Sequence, residues 1–419
     1  MSRIFKKVLV IGFVWPEPSS SAAGKRIMQL VSFFIAQNCE ITFASTAKKS
    51  EFATNLDALG IKSKSIRVND PGFDDFVAKE NPDLVLFDRF MTEEQFGWRV
   101  QETCPDALRI LDTEDLHSLR YAREKCFKNS DDRIQNYLIS DIAKREIASI
   151  YRCDLSLIIS ESELLLLQDF FKVPGEILHY VPYMIDPAAE LNHKNWPGFN
   201  ERQGFMTIGN FRHKPNLDGV NYLRTDIWPL IRELIPDAIM NIYGAYPKQQ
   251  VKEWHQPSSG FFIHGRTPDA NEVMQASRVC LAPLRFGAGL KGKLVEAMIN
   301  GTPSITTSMG AEGINGSFDW PGEIADAPAD FARAAADYYN NEAKWTDAQS
   351  RGLEVVKQRF SIKFHYNALR KRLETITKEL QHHRTYNFTG AMLMHHTIAS
   401  TKYMSRWIEQ KNRGSEKSG

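Results

Sequence analysis

The stretch Phe286 to Pro303, FGAGLKGKLVEAMINGTP, gathers glycines, two lysines and a glutamate in a pattern suited to a phosphorylated ligand. Glycines let backbone N–H groups approach a phosphate, and a helix starting just beyond them presents the positive end of its dipole. Three readings compete. Gly287 to Lys293 nearly satisfy the phosphate-loop pattern, but that loop needs Ser or Thr after the lysine to ligate magnesium, and Leu294 stands there. Gly287, Gly289 and Gly292 satisfy G-x-G-x-x-G. That fingerprint normally opens its domain, whereas here several strand–helix units precede it; Glu312, near the distance of a ribose-binding acid, keeps the reading open. The third reading keeps only the physics. Gly289, Leu290 and Gly292 cradle an anion, Lys291 and Lys293 add charge, and Glu296, read as lying in the first helical turn, accepts hydrogen bonds from paired sugar hydroxyls. Two lysines at a helix N-terminus oppose the dipole, and an anion between them would remove the conflict. A dipole-complementing glutamate beside solvated lysines is the bland alternative, and the stretch alone leaves both open.

Ligands of parallel α/β sheets bind outside the C-terminal strand ends, which singles out three loops of the first half. Trp15 to Arg26 is rich in small residues and includes Gly24; a helix start capped by serine explains it equally well. Asp88 to Gln95 carries Arg89, a candidate for holding an acceptor, while Thr92 and Gln95 fit a capping box. Asp112 to Arg120 carries His117, the candidate for contact with a transferred group, although a lone histidine is more often structural.

These residues need a scaffold. A chain of 419 residues exceeds the roughly 250–300 at which single cores stop growing, so two domains are expected. Apolar strand-length runs (7–14, 40–45, 64–68, 84–87, 108–111, 155–160 and 177–181) alternate with helical segments at 25–37, 52–59, 73–79, 93–102 and 161–171. That predicts an α/β fold with a parallel sheet covered on both faces. The polar segment 187–203 reads as a linker between a domain at 1–186 and a second α/β domain at 204–360. Residues 361–419 form a C-terminal helix and a less regular tail, read as a solvated tail or a closing helix. A formal charge of +1 gives no field for nucleic acid. The 5 scattered cysteines predict free thiols rather than a disulfide frame or metal site. No apolar run reaches the ~20 residues of a membrane span. The short apolar run after Lys6 and Lys7 reads as a first strand rather than a signal peptide. A cytoplasmic protein without cofactor or metal is expected, with basic and aromatic tail residues (Arg384, Lys402, Tyr403, Arg406, Trp407, Lys411) leaving peripheral contact with a membrane's inner face open.

The second half resembles the glycosyltransferases of two-Rossmann-domain (GT-B) architecture, and is most similar to the retaining family-4 group. The matching segments are Phe205–Asn216 with Asp218, Ile227–Pro229, Pro236–Ala238, Ile242–Gly244, Ile263–Arg266, Ala282–Met298, Gly301–Pro303 and Gly310–Gly313. The resemblance implies two Rossmann-like doubly wound domains facing a central cleft. It implies transfer of a sugar from a nucleotide-diphosphate sugar to a carbohydrate or lipid-linked acceptor, with retention. Glu296 is then the ribose ligand, and Gly209, Gly244 and Arg266 line the nucleotide. The first of the family's two glutamates falls on Ala288, so that carboxylate is absent. Asn210 and Pro215–Asn216 occupy the places of the usual diphosphate-binding cations, for which Arg212, Lys214, Lys291 and Lys293 are substitutes, Lys293 foremost. Without an Asp-x-Asp motif, metal-independent transfer is expected, with cations and helix amides stabilising the leaving group. A nucleotide-sugar epimerase, a non-catalytic nucleotide-sugar binder and a dinucleotide oxidoreductase are the alternatives.

Overall fold

The computed structural model describes residues 4–191 and 193–416. Two parallel sheets form its frame. The first joins β1 (Lys7–Gly12), β2 (Glu40–Ser45), β3 (Lys62–Ser65), β4 (Leu84–Asp88), β5 (Leu108–Asp112), β6 (Leu155–Ile158) and β7 (Leu178–Tyr180) in the order β3-β2-β1-β4-β5-β6-β7. The second joins β8 (Phe205–Ile208), β9 (Met240–Tyr243), β10 (Phe261–Gly265), β11 (Val279–Ala282), β12 (Ser304–Thr306) and β13 (Gly322–Ile324) in the order β10-β9-β8-β11-β12-β13. Strand order reverses beside β1 and β4 in one sheet, and beside β8 and β11 in the other. Crevices for ligands open at such reversals, beyond the C-terminal strand ends. The loops singled out above leave β1, β4, β5, β8 and β11 at those ends.

The continuous apolar strands follow from burial on both faces: all of Leu84–Asp88 and Leu108–Asp112 is buried. The first helix, Ala22–Ala36, starts at Ser21, whose hydroxyl accepts the Gly24 N–H at 3.0 Å. Ile27, Leu30, Val31 and Phe34 form its buried face. Arg26 is buried on the same helix and anchors it. Its guanidinium donates to both Asp112 oxygens (2.7–3.1 Å) and to the Val181 carbonyl at 2.6 Å. Removing one partner of so buried a pair costs about 3–5 kcal/mol, so the helix start is fixed against β5 and the segment after β7.

Several expectations are corrected. No helix spans 52–59; a single turn, Asp57–Leu59, ends at Gly60 with φ 73°. The capping box at Thr92 is absent, because the helix already begins at Phe90 and the Thr92 hydroxyl donates back to the Asp88 carbonyl at 3.0 Å. In the second domain the helices Lys214–Tyr222 and Trp228–Leu234 are joined through a wide turn at Leu223–Ile227. The tail is regular, and of its two expected forms it takes that of a closing helix: Leu380–Tyr386 and the 29-residue helix Phe388–Glu416 continue the chain. Leu369, Leu373 and Ile376 of the helix Ile362–Lys378 enter the first domain's core. His383 donates to the Asp154 carbonyl at 2.7 Å, Arg384 clasps the Asp154 carboxylate, and Arg99 donates to Ser405 at 3.0 Å. The chain thus crosses back and straps its end to the first sheet's helices.

Candidate functional site

The opening stretch is the meeting point of the two domains. After β11 the chain makes a hairpin in which Gly287 and Gly289 adopt φ of 152° and 64°, conformations that favour glycine. A Cβ on Gly289 would lie 2.9 Å from the Cβ of Asp115 in the opposite domain. The Gly289 N–H donates to Glu163 Oε1 at 2.8 Å, and the same oxygen accepts the Leu116 N–H at 3.0 Å. Burial, reinforced by the Asp115 charge, pushes the Glu163 carboxyl up to about 8. Arg123 reaches across from the helix His117–Asn129, donating to the Gly287 carbonyl at 2.9 Å and to both Glu312 oxygens at 2.7 and 2.5 Å. Glu312 is therefore committed to Arg123, with Lys291 at 3.9 Å, which argues against its service as a dinucleotide's ribose acid.

The hairpin delivers the helix Gly292–Ile299 with its N-terminus against the N-terminus of Ala22–Ala36. A Cβ on Gly292 would sit 3.0 Å from both the Ala22 Cβ and the Tyr183 hydroxyl. Neither helix carries an acidic residue in its first turn. Glu296 lies just beyond that turn, which corrects its expected place. Two positive helix ends thus converge without a carboxylate on either first turn. Lys291 is buried and donates to the Gly289 carbonyl at 2.9 Å; Lys293 donates to Asn216 Oδ1 at 2.9 Å. Burial brings both ammonium groups down to about 8. Glu296 pairs with Lys25 of the facing helix at 2.6 Å. Gly24 precedes that lysine where a Cβ would strike the Glu17 backbone at 2.4 Å, and Leu290 is buried beside Ile159 and Tyr183.

The remaining candidates divide. His117 starts its helix with its backbone N–H donating to Glu146 at 2.8 Å; its ring meets Phe90 edge-on and its Nε2 lies 3.6 Å from Asp115. Burial lowers its pKa to about 4, so the imidazole is neutral at pH 7. Arg89 takes a φ of 72° beyond β4, with its guanidinium 3.6 Å from Asp88 and over the Phe13 ring. Gly209 and Gly244 pack backbone to backbone; a Cβ on Gly244 would lie 2.0 Å from the Gly209 carbonyl oxygen. Arg212 stacks on Tyr246 at 3.6 Å, and Tyr246 donates to Glu17 at 2.7 Å. Arg266 donates to Ser19 at 2.9 Å and covers Phe52. Lys214 is exposed and held by Glu124 at 3.0 Å. Residues 289–293, Glu296 and Gly24 are therefore brought together, while Arg212, Lys214 and Arg266 engage other partners. Lys25, Arg123, Glu163 and Tyr183 were missed. Lys25 alone had a signal, as a lysine beside Gly24 in a loop already under consideration. Among the described residues no three His, Cys, Asp or Glu side chains gather as a metal site.

Residues 202–341 match the family described as glycosyl transferases group 1. No curated protein matches the chain significantly in sequence. Among solved structures, Anabaena Alr3699/HepE in complex with UDP-glucose is 14% identical with a TM-score of 0.63, over 88% of this chain and 99% of that one. The sucrose-phosphate synthase of Thermosynechococcus elongatus is 15% identical with a TM-score of 0.62, over 88% and 99%. A variant of S. aureus TarM, in complex with fondaparinux, alpha-GlcNAc-glycerol and UDP, is 13% identical with a TM-score of 0.56. That match covers 72% of this chain and only 58% of TarM.

Proposed function

We propose, for a GT-B-fold glycosyltransferase with residues 202–341 in glycosyl transferases group 1, transfer from a nucleotide-diphosphate sugar with retention at the sugar carbon. The observation that carries the donor is the convergence of two helix N-termini beside Lys291 and Lys293, with no acidic residue in either first turn. A diphosphate placed there would satisfy free helix amides and restore favourable charge to buried ammonium groups. Glu296, one step further along the helix, would accept the ribose hydroxyls. UDP and UDP-glucose in the Anabaena complexes support a donor of this class.

In the reaction the bond between the sugar's anomeric carbon and the diphosphate oxygen breaks, and a bond to the acceptor oxygen forms on the same face. The acceptor's proton passes to the departing diphosphate. Charge accumulating on the leaving group is stabilised by Lys293 and the helix amides. His117, neutral and at the mouth of β5, contacts the transferred sugar or the acceptor, and Arg89 orients the acceptor. The acceptor is a carbohydrate or a lipid-linked carbohydrate; the exposed aromatic face of helix Phe388–Glu416 supports delivery at a membrane surface.

A melting-temperature panel of UDP-, GDP-, ADP- and dTDP-sugars tests the donor. One of them should raise the transition of the wild-type protein. Glu296→Ala should abolish that rise and lower kcat/KM by at least about tenfold, the loss of one charge-assisted hydrogen bond. Unchanged donor affinity in that variant rules out the ribose assignment.

A further inference from the structure

Lys25 stands on the first domain and Glu296 on the second, and their charged atoms lie 2.6 Å apart. Both ends of this bridge are rigidly placed. Ser21 caps the helix that carries Lys25, Gly24 is locked against Glu17, and Arg26 buries the next position. Glu296 is on the helix whose start abuts Ala22. The lysine is only half-buried, with 36% of its side chain exposed, so its long stem is free to pivot while its backbone is not. A lysine in the first turn of a helix opposes the dipole; here Glu296 offsets that opposition.

We propose that Lys25 is a gate and a second diphosphate ligand: it covers Glu296 in the empty enzyme and is handed to the diphosphate when the ribose claims the carboxylate. This rests on the reading of Glu296 as ribose ligand. The exchange conserves pairing. Before binding, one carboxylate and one ammonium neutralise each other across the cleft. Afterwards the carboxylate accepts the ribose hydroxyls, and the ammonium, released beside two helix N-termini, meets the incoming phosphate charge. It follows that an uncharged ribose derivative and a diphosphate should respond to loss of Lys25 in opposite directions.

The test compares Lys25→Met, Lys25→Arg and Glu296→Gln by calorimetric titration. The probes are the nucleoside diphosphate whose sugar stabilises the wild-type protein, and the matching free nucleoside. Lys25→Met should bind the nucleoside more tightly, because the competitor for Glu296 is gone. It should bind the diphosphate about tenfold or more weakly, as for the loss of a charge-assisted hydrogen bond. Lys25→Arg should keep diphosphate affinity near the wild-type value. If Lys25→Met weakens both probes equally, or changes neither, the gate is refuted. Glu296→Gln separates the two ideas. Unchanged nucleoside affinity in that variant defeats the ribose assignment itself. Weakened nucleoside affinity there, with Lys25→Met unaltered, defeats only the role of Lys25.

Discussion

Lys293 joins the candidate site's charge to its burial. Its ammonium is brought down to about 8 by desolvation, against the pull of Glu296. A cation of lowered pKa is protonated below that value and loses charge as pH rises through it. Donor affinity in the free enzyme should therefore be level from pH 6 to 7 and fall above about pH 8. Lys291, also brought down to about 8, titrates in the same window, and an arginine stays charged throughout, so Lys293→Arg should make the alkaline limb shallower and Lys291→Arg with Lys293→Arg should flatten it. Calorimetric affinities from pH 6 to 9.5 decide this, and an alkaline limb as steep in Lys293→Arg as in the wild-type protein removes Lys293 as a source. His117 belongs to the opposite case. With its pKa near 4 it stays neutral across that range, so it can donate or accept a hydrogen bond but contributes no titration to the profile.

At the scale of elements, the strands were legible because parallel strands buried on both faces leave unbroken apolar runs. β2 came out with its expected ends, 40–45. β13, only Gly-Glu-Ile with two exposed residues, leaves no such run and went unseen. The last helix was left open between a solvated tail and a closing helix for a related reason. It packs through small and polar groups: a Cβ on Gly390 would approach the Tyr151 carbonyl oxygen to 2.1 Å, and Asn387 donates to that oxygen at 2.7 Å. Several of its large side chains instead face out, with Tyr403, Met404 and Trp407 exposed by 69%, 62% and 58%. Lys411 lies over the Trp407 ring at 5.3 Å, and Arg406, 55% exposed and 3.5 Å from Glu102, adds a second cation. Aromatic rings flanked by cations suit the interface of an anionic bilayer, where each basic residue adds about 1 kcal/mol. The wild-type protein should sediment with vesicles containing phosphatidylglycerol and much less with pure phosphatidylcholine. Tyr403→Ala with Trp407→Ala should release it while leaving transfer to a soluble acceptor intact. Equal recovery of the wild-type and double variant would exclude this face as the anchor.

The whole molecule is held shut by contacts that no local pattern announces. Gly289 meets Glu163 across 126 residues of sequence, and Arg123 meets Glu312 across 189. Periodicity predicts which residues are core and glycine spacing which loop bends, but neither says that this loop docks on the other domain. The glycine-rich stretch was therefore readable as chemistry and unreadable as an interface. Bidentate pairing of Arg123 with Glu312, beside the hairpin carbonyl of Gly287, makes that pair the strongest candidate for a latch between domains. Arg123→Glu sets two carboxylates against each other and should open the cleft, seen as a larger radius of gyration in X-ray scattering. Turnover should fall with it, because the hairpin, Lys25 and Glu296 lose their common geometry. Adding Glu312→Arg reverses the pair without losing it, and should recover both the compact scattering profile and most of the turnover. A single variant as compact as the wild-type protein would mean that Glu163 and the buried hairpin keep the domains together without the latch.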